Sequence, residues 1–87
     1  MIVNKNKMIN SFLNDDTSKK SSNLKMIVND DIIKLINYNT IIASKKINDN
    51  IINLNISKYS QTTSRNQNEI KRQAEQKGYI IKEYQAE

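Results

Sequence analysis

The hydrophobic period changes past a polar stretch early in this chain, and that change limits the fold more than any other feature. Met8, Ile9, Phe12 and Leu13 fall at i, i+1, i+4 and i+5, the apolar stripe of a short helix within residues 4–14. Such a helix is too short to stand alone and must dock. From Asp15 to Asn23 no side chain is apolar. Their hydroxyls, amides and carboxylates compete with backbone hydrogen bonding, so this stretch reads as a loop or flexible linker. Beyond it Leu24, Met26 and Val28 alternate with Lys25, Ile27 and Asn29, the period of a strand with one buried face. The organisation expected is therefore an N-terminal helix and polar linker over residues 1–23, free to move, and a small α+β domain over 24–87.

Within that domain Asn29-Asp30-Asp31 is a turn, and Ile32, Ile33, Leu35 and Ile36 fit either a short helix or a buried strand, with the strand preferred. Tyr38 to Lys46 and Ile51 to Ile56 flank Asn48-Asp49-Asn50, residues that tolerate the left-handed conformation of a hairpin turn. Ser64 with Gln67 three residues on has capping-box spacing, and the single glycine, Gly78, suits a left-handed residue just past a helix end. A helix over 64–77 follows, with only Ile70 and Ala74 as its apolar face. Tyr79, Ile81 and the run to Tyr84 close the chain as a strand. The fold class is α+β: a small, mainly antiparallel sheet of four or five strands, an N-terminal helix, and the 64–77 helix packed on one face. A core this thin invites a homodimer that covers a sheet edge or the apolar faces of Ile32, Ile33 and Ile36.

Composition excludes more than it assigns. The 87 residues include no Cys, His, Pro or Trp, so there is no disulfide framework and the usual zinc ligands are missing. Without imidazole, thiol or a glycine-rich phosphate loop, catalysis, a metal centre and a bound cofactor are not expected. Asp15-Asp16, Asp30-Asp31 and Asp49 read as turn residues rather than magnesium ligands. Apolar runs never exceed three residues, so neither a membrane span nor a secretory leader is expected, and the expected location is a bacterial cytoplasm. Ile, Asn and Lys occur fifteen, fourteen and twelve times, the signature of A+T-rich coding, which points to a low-GC bacterium or to a phage or plasmid of one. That bias inflates surface lysine and weakens the net charge of +5 as a functional signal.

Two groups of residues could carry binding. Between residues 57 and 82 six cations stand against two carboxylates, Glu69 and Glu75. Lys58, Thr62, Thr63, Arg65, Asn66, Lys71 and Arg72 form the candidate partner surface: hydroxyls and amides near a helix start, where free N–H groups favour an anion, with cations along the helix. A solvated helix whose cap is Ser and Thr, as caps commonly are, is the plainer reading of the same residues. Tyr38, Tyr59, Tyr79 and Tyr84 fit the rim of an amphipathic core better than a base-stacking groove.

Tyr38-Asn39-Thr40-Ile41-Ile42-Ala43, and then Leu54-Asn55-Ile56-Ser57-Lys58-Tyr59-Ser60-Gln61-Thr62-Thr63-Ser64-Arg65-Asn66-Gln67, resemble a group of small uncharacterised proteins of phages and plasmids. Those proteins share an aromatic-x-Thr-x-Ile-Ala strand, a second strand, then Ser-x-Thr-Thr and a basic-His pair opening a helix. The likeness spans residues 37–73. Arg65 fills the basic place, while Asn66 stands where His is usual. The resemblance implies a mobile-element setting, in which a small non-catalytic protein binds and inhibits or modulates a host nucleic-acid-handling complex. An anti-CRISPR-type inhibitor of a CRISPR effector is the best-defined form of that expectation. A regulator that binds DNA or RNA directly is the alternative, and the two differ in salt response.

Overall fold

The computed structural model describes residues 2–86. Helix α1 (Lys5–Leu13) precedes a meander of four strands, β1 (Leu24–Asn29), β2 (Ile32–Asn37), β3 (Thr40–Lys46) and β4 (Ile51–Asn55). Helix α2 (Gln61–Gln76) then crosses the sheet and β5 (Ile80–Tyr84) closes it, in the spatial order β1-β2-β3-β4-β5. The first three pairings are antiparallel and β4–β5 is parallel. A parallel pair cannot be joined by a hairpin, and α2 is the crossover it needs. The α+β class and the five strands match expectation, residues 32–37 being strand.

Local chemistry explains the turns. Asp30 (φ 57°) and Asn48 (φ 65°) take left-handed conformations in the hairpins, where their short polar side chains are tolerated. Gly78 (φ 77°) follows the C-cap residue Lys77 and ends α2 as anticipated. Tyr38 is the exception, a bulky residue at φ 56° in the β2–β3 turn.

Both helices lie on one face of the sheet. The core beneath them joins Met8, Ile9, Phe12 and Leu13 of α1 and Ile70 and Ala74 of α2 to Leu24, Ile33, Leu35, Ile42, Ala43, Ile52 and Leu54. The N-terminal helix docks as its length requires: all four residues of its stripe are fully buried, each worth about 1.5–3 kcal/mol relative to exposure. The polar linker is anchored too. The Val3 amide donates to the Lys20 carbonyl at 2.7 Å, and the Asp15 carboxylate binds Lys45 and accepts from the Asn48 amide at 2.9 Å.

Three expectations are corrected. Val28 is 45% exposed although it shares a face with Leu24 and Met26, because β1 is an edge strand whose far end the helices do not cover. Ile33 and Ile36 are buried within the protomer, leaving only Ile32 of that trio for a partner chain. Helix α2 starts at Gln61, not Ser64, because Ser60 is its N-cap and accepts from the Thr63 amide at 3.1 Å. Gln67 is drawn inward, where its amide donates to the Asn55 and Ser57 carbonyls, so the Ser64–Gln67 box does not form.

Candidate functional site

The N-terminal half of α2 looks outward in sequence and inward in structure. Thr63 and Asn66 are buried beneath the helix, so neither is available to a partner, contrary to expectation. Thr63 belongs to a closed polar network: its hydroxyl donates to Asn37 Oδ1 at 2.6 Å, Asn37 Nδ2 donates to the Asn23 carbonyl at 2.9 Å, and Ser60 Oγ lies 3.0 Å from Thr63 Oγ1. Beside it Asn55, 1% exposed, donates to the Ile41 carbonyl and the Tyr59 hydroxyl and accepts from the Ser57 amide. These bonds fasten the start of α2 to the ends of β2 and β4. Among the described residues Asn66 Oδ1 and Gln73 Oε1 are buried without a partner.

The remaining expected residues do not converge. Lys58 and Lys71 line one cleft of about 160 Å³, Thr62 borders another with Asn66, and Arg72 lies in a groove of about 350 Å³ between the helices. Lys71 pairs with Glu83 at 3.4 Å and Arg72 pairs with Glu69, so two of the helix's cations are already matched. The Arg72 hydrogen bond, aided by Gln73 and by the charges of Arg72 and Lys5, outweighs burial and holds the Glu69 carboxyl below its ordinary 4.5. Arg65 is exposed and borders none of these clefts.

The uncovered face of the sheet carries a more coherent surface. Pairing sets Ile27 beside Lys34, Lys34 beside Ser44, Ser44 beside Asn53 and Asn53 beside Lys82, one row across all five strands. Lys25, Ile36 and Ile41 form the neighbouring row, and Asn55 pairs with Tyr84 at the same end. Lys46 meets Asp31 at 3.5 Å, whereas among the described residues Lys25, Lys34 and Lys82 have no carboxylate within ion-pair distance. Glu83 points the other way, toward Lys71 on α2. Tyr59 and Tyr84 adjoin over Asn55; burial first, and then the neighbouring Tyr59, push the Tyr84 phenol above its ordinary 10.0. Tyr79 alone fills the expected rim role, its hydroxyl donating to the Leu13 carbonyl at 2.7 Å.

Sequence reasoning missed Lys25 and Lys34 as surface-forming residues. The period-two pattern that marked the buried residues also assigns the intervening ones to the opposite face, and following it across the strands reveals the lysine row. Lys45 was hidden from the same reading, since a lysine on the core face contradicts the pattern. Burial raises the Asp15 carboxyl pKa, but the hydrogen bonds from Lys45 and the Asn48 amide, with the Lys45 charge, outweigh it and leave the group below 3.8.

No curated protein and no solved structure matches the chain. The model of a family of unknown function (DUF8033) matches residues 11–86, which takes in the end of α1, all five strands and α2. The chain belongs to that family.

Proposed function

We propose that this protein is a non-catalytic binding protein that inhibits or modulates a nucleic-acid-handling complex of a host cell, and that it makes contact through the uncovered sheet face. The observation that carries this reading is the row of lysines without carboxylate partners on a face that neither helix covers. Such a face favours an anionic partner and steers it by charge. Exposed isoleucines on the edge strands beside the lysines, Ile27 at 45% and Ile80 at 52%, give it apolar area as well. The mobile-element setting implied by the resemblance supports a host complex as the target, and an anti-CRISPR-type action is its most specific form. The α2 surface is the lesser candidate, because Thr63 and Asn66 are buried and Lys71 and Arg72 are paired.

Affinity capture from a low-GC bacterial lysate, with and without nuclease and at two salt concentrations, tests the reading. The wild-type protein and the triple variant Arg65→Ala, Lys71→Ala, Arg72→Ala should retain the same complex. Lys34→Glu with Lys82→Glu should lose it while keeping the wild-type circular dichroism. Capture that follows the helix variant instead, or no specific complex at all, would overturn the proposal.

A further inference from the structure

Three tyrosines stand at one end of the sheet. The β2–β3 turn presents Tyr38 at 58% exposure, Tyr59 follows β4 at 46%, and Tyr84 ends β5 at 38%. The pairs Asn37–Thr40 and Asn55–Tyr84 set Tyr38 and Tyr84 at the same end, and the bond from Asn55 to the Tyr59 hydroxyl holds Tyr59 there too. Tyr38 keeps its ring there in a left-handed backbone that costs a non-glycine residue about 1–3 kcal/mol. The row of Lys34, Ser44, Asn53 and Lys82 runs alongside. With neighbouring strands about 4.8 Å apart, Lys34 and Lys82 stand roughly 14 Å from each other across three strand spacings.

We infer that this face binds single-stranded nucleic acid, the tyrosine rings stacking on bases and Lys25, Lys34 and Lys82 neutralising phosphates. The inference rests on the binding-protein reading above and names its partner. Rings beside unpaired cations answer the two needs of a single strand, a platform for exposed bases and positive charge for the backbone. Ser44 and Asn53 add hydroxyl and carboxamide groups between the lysines, able to bond sugar or base edges. A duplex suits the face less well, since its bases are stacked inside and this sheet face offers no helix or strand arm to enter a groove.

The test is fluorescence anisotropy with a short labelled oligothymidylate, free and annealed to its complement, across about 50 to 200 mM salt. Saturable binding to the single strand should exceed that to the duplex. Lys34→Ala with Lys82→Ala should lower the slope of log affinity against log salt by about 1.4, two phosphates' worth on a single strand. Tyr38→Asn, which suits the left-handed turn, and Tyr84→Leu should each weaken binding about 5- to 150-fold and leave the salt slope unchanged. No saturable binding at low salt, an unchanged slope in the lysine variant, or loss confined to Arg65→Ala would overturn the inference. If the oligonucleotide fails to bind while lysate capture still depends on Lys34 and Lys82, the partner is protein and the binding-protein reading survives. If capture is also independent of those lysines, both fall.

Discussion

Two buried asparagines show how a single hydrogen bond decides what a residue is worth. Asn37 and Asn66 are each 1% exposed, yet Asn37 bridges Thr63 and the Asn23 carbonyl while Asn66 Oδ1 has no partner among the described residues. Asn37→Ala should cost about 1–3 kcal/mol, because it orphans groups that stay buried, whereas Asn66→Ala should cost less than half as much; chemical denaturation of both variants checks the order. Asp15 is the second sensitive position. Its carboxylate faces Lys45, which is 1% exposed, and Asp15→Ala would leave that ammonium buried without a counter-charge at a cost of about 3–5 kcal/mol. Lys45→Met removes the buried charge itself and should cost markedly less. The folded-state pKa of Asp15 lies below its ordinary 3.8, so its stabilisation is full above about pH 4 and fades as pH falls through the lowered value. Denaturation midpoints should therefore drop in acid, and Asp15→Asn should flatten that limb.

Among elements, α2 best separates what pattern reading can and cannot reach. Gly78 and the apolar pair Ile70 and Ala74 were legible because the end signal and the helical period are local. The start was not, because Ser60 and Ser64 are equally good caps in sequence and the choice depends on Thr63 reaching Asn37, a contact 26 residues away. Ser60→Ala should cost about 1 kcal/mol and Ser64→Ala a few tenths at most, measured by thermal melting. The same distance effect turned Thr63, Asn66, Gln67 and Gln73 inward. A helix with two apolar contacts covers its sheet by lending polar side chains to carbonyls of the neighbouring layer, as Gln67 does at Asn55 and Ser57. Ile70→Ala, by removing the larger apolar contact, should cost about 2–5 kcal/mol.

At the scale of the whole molecule, layering decides which surface is available. Two helices on one side of a five-stranded sheet bury the α1 stripe and leave the opposite face without a helix over it. Period-two alternation exposed that division in β1 and in the β3–β4 hairpin, so much of the fold class was legible. The site was not, because a lysine row exists only once strand order and register are known; Lys34 and Lys82 are 48 positions apart in the chain but share one row of the sheet. The edge strands carry Lys25 and Lys82, which oppose edge-to-edge pairing, so the contact surface we propose is the face itself rather than its margins.

Amide chemical-shift mapping of the isotopically labelled protein with the single-stranded oligonucleotide tests that assignment most directly. Shifts confined to the five strands and to Tyr38 and Tyr59, with Arg65 to Lys77 unmoved, are the expected result. Shifts concentrated along α2, or none at saturating ligand, would contradict it.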